Sequence, residues 1–219
     1  MDIQTRFLAR PDLASIRVTR ADDAKSDVMP QISGYAAVFY DENDSGTEYQ
    51  MWDDVVERIM PGAFDEALAR PDDVRGLFNH DPDHILGRTA SGTLTLSVDE
   101  RGLWYVIDPP DTEMARSLVM AIERGDVSGA SFGFVPGKTV FVDDDDEDML
   151  VIERHMVTLW DVSPVTYPAF ESATSGTRSG GSGDVPAEVD QWRRRKQSGR
   201  AAREAAAARA SARVAEIAE

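Results

Sequence analysis

Ser131 and His80 are the residues of this chain best suited to covalent chemistry, and each also has an ordinary structural explanation. Ser131 sits within Gly125-Asp126-Val127-Ser128-Gly129-Ala130-Ser131-Phe132-Gly133-Phe134, where a helical pattern ends and a short apolar strand begins. A hydroxyl in a half-buried strand is commonly satisfied by a backbone carbonyl. It can also be a nucleophile whose small neighbours Gly129, Ala130 and Gly133 let a substrate backbone come close. Gly129 to Gly133 spells Gly-x-Ser-x-Gly, but the nucleophile elbow needs a strand-turn-helix setting. Phe132-Gly133-Phe134-Val135 continues as strand, so that reading fails.

His80 stands in Asn79-His80-Asp81-Pro82-Asp83-His84, directly after an apolar strand at Val74 to Phe78. Two imidazoles and two carboxylates in so short a run suggest a metal site, yet His-x-x-x-His shares a face only in a helix, which Pro82 opposes. No metal or cofactor is expected. The other reading is a general base, since a histidine titrates near the pH at which a serine must be relieved of its proton. An exposed loop histidine is the plain alternative. The acidic run Asp143 to Asp148 lacks the glycine and spaced oxygens of an EF-hand loop and reads as a solvated hairpin tip.

Composition narrows what these residues can serve. The chain has 219 residues, 42% hydrophobic and 29% charged, which fits one globular domain with a tail. It has no cysteine, which excludes disulfides, thiolate catalysis and Cys-ligated zinc. No run reaches the roughly 18 apolar residues of a membrane span, and Met1 to Arg20 lacks a signal-peptide core. An intracellular soluble protein without a membrane partner is expected. A net charge of -17 argues against a nucleic-acid surface on the folded body.

The elements that must position Ser131 and His80 are mostly strands. Candidates are Ser15 to Thr19, Ile32 to Phe39, Val55 to Ile59, Val74 to Phe78 and the hairpin Thr93 to Val98 with Gly102 to Ile107. Further on come the Ser131 strand, a hairpin flanking the acidic run, and Val157 to Val165. A short helix is expected from Pro61 to Leu68, and a longer one from Glu113 to Arg124 between Thr112 and a capping Gly125. The strands are too closely spaced for βαβ crossovers. The expected class is α+β, a mostly antiparallel β-barrel or sheet with a C-terminal helical tail. Residues 1–170 form the domain and 171–190 a flexible Ser/Gly-rich linker, while 191–219 form a basic Ala/Arg-rich helix. No internal repeat is evident.

Seven blocks, in order, resemble the prohead maturation serine proteases of tailed bacteriophages, a family remotely similar to the herpesvirus assemblins. They are Ile32 to Phe39, Glu57 to Phe64, Leu77-Phe78-Asn79-His80-Asp81, Leu86 to Thr89, Gly92-Thr93-Leu94 with Gly102-Leu103, Gly125 to Phe134, and Asp161 to Phe170. The resemblance implies an assemblin-like fold and a serine endopeptidase with His80 as base and Ser131 as nucleophile. It implies that Asp161 orients His80, because the family carries an acid at this place in its last block. His155 is the rival, since assemblins use a second histidine, and it falls on the same strand face as Asp161 if no bulge intervenes. Asp81, beside the base, is a third option. The remaining glycines, Trp104 and the Phe132/Phe134 pair serve fold and core.

The implied task is cleavage of the scaffolding segment of the major capsid protein, and of the protease itself, inside the procapsid assembling in the host cytoplasm. A homo-oligomer is admitted by the resemblance, and the basic tail is expected to serve packaging into the procapsid. The competing reading is a non-catalytic capsid-assembly or scaffolding protein that retains the protease fold.

Overall fold

A computed structural model of the chain describes residues 3–8, 11–20, 28–70, 73–144, 148–167 and 185–217. The chain divides into two compact units, Met1–Ser182 and Gly183–Glu219. In chain order the first unit contains β1 (Gln4–Phe7), α1 (Pro11–Ala14), β2 (Arg17–Thr19), β3 (Gln31–Val38), β4 (Tyr49–Trp52) and β5 (Val55–Ile59). There follow α2 (Asp65–Ala69), β6 (Arg75–Phe78), β7 (Asp81–Arg88), β8 (Leu94–Val98) and β9 (Gly102–Ile107). α3 (Glu113–Arg124), β10 (Gly129–Pro136), β11 (Thr139–Asp144), β12 (Met149–Arg154) and β13 (Val157–Val165) complete it.

The strands form three sheets, ordered β1-β10-β13-β6-β7, β11-β12-β5-β4 and β2-β3-β9-β8. Every pairing is antiparallel except β12 with β5 and β13 with β6. The fold is therefore α+β and mostly antiparallel. Of the two architectures expected, the open sheet is the one formed, because the sheets are not closed into a barrel.

Their inner faces share one core. Along β9 the residues Leu103, Tyr105 and Ile107 are fully buried while Trp104 and Val106 are only partly covered, the period-2 pattern of a strand with one buried face. Leu86, Phe64, Phe132 and Phe134 join the same cluster, with Phe132 stacked on Phe134 at 5.0 Å and edge-on to Phe64 at 5.7 Å. α3 adds Ala115, Leu118, Val119 and Ile122 from one helical face. Its ends follow the expected chemistry: the Thr112 hydroxyl accepts the Ala115 N–H at 3.2 Å, and Gly125 adopts a left-handed φ of 80°.

One expectation gives way to local backbone chemistry. The helix expected from Pro61 begins only at Asp65, because Gly62 has a φ of 87° and the segment before Asp65 is a turn. Pro82, which opposes a helix, sits near the start of β7 at the sheet edge, where a strand tolerates it. The hairpin flanking the acidic run is present as β11 and β12, while residues 145–147 of the run lie outside the described residues.

The second unit contains α4 (Ala187–Ile217). It starts ahead of the expected Gln191, because Ala187 and Glu188 favour a helix and Glu188 and Asp190 complement the positive end of its dipole. The rest of the expected linker, 171–184, lies outside the described residues, as does the end of the closing block, 168–170. Among the described residues no helix is long and apolar enough to cross a membrane.

Candidate active site

Three neighbouring strands of the five-stranded sheet bring the sequence candidates together. Ser131 of β10 stands opposite Ser163 of β13 on one side and Phe7 of β1 on the other. Residues directly opposed in an antiparallel pair project to the same face, and so does the residue two positions along. Ser131, Ser163 and Asp161 therefore share one face. Asp161 opposes Gly133, where a Cβ would fall inside the Asp161 carboxylate, so the glycine makes the room that the acid occupies.

β6 runs parallel to β13, with Arg75 opposite Asp161, and carries the chain to His80. Phe78 pairs with Asp81 across a two-residue turn in which Asn79 and His80 have φ of 57° and 58°. This is the mirror-image turn whose twist matches the strands, and its second position ordinarily prefers glycine. A histidine there costs on the order of 1 kcal/mol, a cost that surrounding bonds must offset. They come from the end of β13 and the residue after it. The Asn79 N–H donates to the Pro164 carbonyl at 3.0 Å, the Asn79 amide donates to the Thr166 hydroxyl at 3.1 Å, and the Thr166 N–H donates to Asn79 Oδ1 at 2.9 Å.

So held, the His80 ring lies between the acid and the serine. Its Nδ1 is 2.5 Å from Asp161 Oδ2, and its Nε2 is 2.6 Å from Ser131 Oγ. A carboxylate only accepts, so Nδ1 carries a proton, and whenever the ring is neutral Nε2 is left with its lone pair facing the hydroxyl. The Ser163 hydroxyl donates to the same Asp161 oxygen at 2.9 Å and accepts the His80 backbone N–H at 3.3 Å. Asp161 is 3% exposed and Ser131 0%, while the His80 side chain keeps 15%. The carboxylate is thus satisfied by two donors out of contact with bulk water, which fixes the ring's tautomer and orientation.

The rivals of Asp161 bond elsewhere. His155 lies between β12 and β13, not in the strand whose alternation would have put it on the Asp161 face, and its Nε2 meets Glu153 Oε2 at 2.9 Å. The Asp81 carboxylate faces His84 Nδ1 at 3.1 Å and accepts the Asp83 N–H at 2.9 Å.

Sequence reasoning missed three residues at this site. Ser163 was within reach of it, being two positions along the same strand from Asp161. Arg6 and Phe7 carried no signal, because they act through backbone and position in a short polar strand. The Ser131 hydroxyl donates to the Arg6 carbonyl at 2.8 Å, and the Phe7 ring meets His80 edge-on at 5.7 Å. The ordinary and the chemical explanations of Ser131 are therefore both present in its surroundings.

A hydroxyl, an imidazole and a carboxylate bonded in series form the arrangement from which serine hydrolases draw a nucleophile. The family model of the caudovirus prohead serine proteases matches residues 15–181, and the chain belongs to that family. No curated protein sequence matches it. Among solved structures, the bacteriophage T4 capsid assembly protease, gp21, superposes with a TM-score of 0.48 at 12% identity, over 76% of this chain and 98% of that one.

Proposed function

We propose that the chain is a serine endopeptidase that removes the scaffolding segment of its capsid protein, and cuts itself, within the procapsid assembling in the host cytoplasm. The observation that carries this reading is the pair of contacts at His80, 2.5 Å to Asp161 and 2.6 Å to Ser131. Membership of the prohead protease family supports the choice of substrate.

In the first half-reaction His80 Nε2 takes the Ser131 proton as Oγ attacks the scissile carbonyl carbon, giving a tetrahedral oxyanion and an imidazolium. Asp161 stabilises that imidazolium through Nδ1–H and stays ionised. The intermediate collapses as Nε2–H protonates the leaving amine, so the peptide C–N bond breaks and an acyl-Ser131 ester remains. Water then adds to the ester, with Nε2 taking its proton and returning it to Oγ as the acid product leaves. Ser163 has a positioning role, since its hydroxyl ties the Asp161 carboxylate to the backbone of His80.

Co-expression of the chain with its cognate capsid protein, read by intact-mass measurement, tests this function. Capsid protein shortened at one defined peptide bond is expected. Capsid protein that keeps its full mass beside a folded, soluble chain would overturn the reading.

A further inference from the structure

Ser131 is completely buried, although a nucleophile for peptide bonds must meet a substrate carbonyl. What covers it is β1, the edge strand of the five-stranded sheet, paired antiparallel to β10 with Phe7 opposite Ser131. We propose that β1 is an internal strap across the active cleft, lying along the edge of β10 where an extended peptide would pair, and that it must leave before substrate enters. The inference rests on Ser131 being the nucleophile.

Three features support a strap over a permanent part of the sheet. The first is the proton of Ser131. A hydroxyl has only one, and in this arrangement both His80 Nε2 and the Arg6 carbonyl compete for it. While it is given to the carbonyl oxygen, it is not available to the base. β1 therefore covers the nucleophile and also draws its proton away.

The second feature is how β1 is held. The Arg6 guanidinium bonds the fully buried Glu57 carboxylate, which also accepts Arg154 Nε at 2.6 Å. When β1 leaves, Glu57 keeps Arg154, so release strands no unpaired buried carboxylate. The side chains of Gln4 to Phe7 are only partly buried, and the buried anchor is Leu8, whose N–H donates to Ala130 at 3.0 Å. Partly exposed edge segments belong to the low-stability end of a fold and open locally. Third, β1 lies outside residues 15–181, the stretch that the prohead protease family model matches.

The test follows two properties of the full-length chain together: amide hydrogen exchange of β1, and the rate at which a small fluorophosphonate labels Ser131. In the native chain the β1 amides should exchange by local opening, faster than those of β13, and labelling should be slow. Phe7→Gly removes the ring against His80, and Arg6→Gln removes the anchor to Glu57 by a separate route. Each should raise the opening of β1 and quicken labelling in step, by about tenfold, since reactivity scales with the fraction of chains in which β1 is off. Two results would overturn the strap: β1 amides that exchange only with global unfolding, or labelling as fast in the native chain as in both variants. Absence of labelling in chains whose β1 is shown by exchange to be released would count against Ser131 as nucleophile, and the strap would fall with it.

Discussion

At the scale of single residues, the arrangement depends on two backbone positions as much as on the reactive groups. His80 occupies the left-handed second position of a tight turn, which aims its ring at Ser131 and Asp161. Gly133 leaves the space into which the Asp161 carboxylate fits. Replacing Asp161 with Asn leaves the shape but offers His80 Nδ1 the wrong partner, so kcat should fall by about 10⁴, as when other triad acids are neutralised. His155→Gln should change the rate little, because its bond is to Glu153. Equal losses in both variants, measured with one peptide substrate, would contradict the role given to Asp161. Gly133→Ala should also lose most activity, since the new methyl takes the place of the carboxylate, with circular dichroism reporting whether the sheet survives. Ser131 and His80 stood out in the sequence by residue type and local pattern, while their assignment as nucleophile and base, like that of Asp161 as the orienting acid, rested on the family resemblance. Nothing in the sequence discloses a carbonyl at Arg6, because a backbone group has no residue type.

At the scale of elements, strands and caps were legible wherever one face is buried and the alternation is clean. Glu113–Arg124 and Val157–Val165 form with the expected bounds. β1 and β4 were not legible, since four residues reading Gln-Thr-Arg-Phe, or Tyr-Gln-Met-Trp, are too few to give a period that separates strand from loop. β1 is held in part by Glu57, a charge that sequence alone would place at the surface. Burial alone would raise the Glu57 carboxyl, but the guanidiniums of Arg6 and Arg154 outweigh it and hold the group below the usual glutamate range. A group with a depressed folded pKa contributes stability above its unfolded value, about 4.3, and loses that contribution as the pH falls through the folded value. Acid unfolding should therefore begin below the ordinary glutamate range, and Glu57→Gln should remove this share of the pH dependence. Glu57→Ala leaves Arg154 buried without its carboxylate and should cost about 3–5 kcal/mol in denaturant unfolding. A loss below about 1 kcal/mol, typical of a surface pair, would show that the cluster is solvated in solution.

At the scale of the whole molecule, the α+β class and antiparallel character were legible from strand spacing. The order of the sheets was not, because the parallel pairings of β13 with β6 and β12 with β5 join segments far apart in the chain. One of these long-range pairings is what brings His80 beside Asp161. The basic helix is proposed to act in packaging and not in chemistry. A chain ending at Thr174 should still cleave a peptide while entering procapsids less, and equal incorporation would remove that role. Cleavage of the capsid protein by Ser131 is tested by the intact mass of capsid protein co-expressed with Ser131→Ala. Only a hydroxyl is lost, and the backbone and core side chains of β10 are unchanged, so the variant should fold, and the capsid protein should keep its full mass where the native chain shortens it. Capsid protein processed at the same bond by the folded variant would contradict the account.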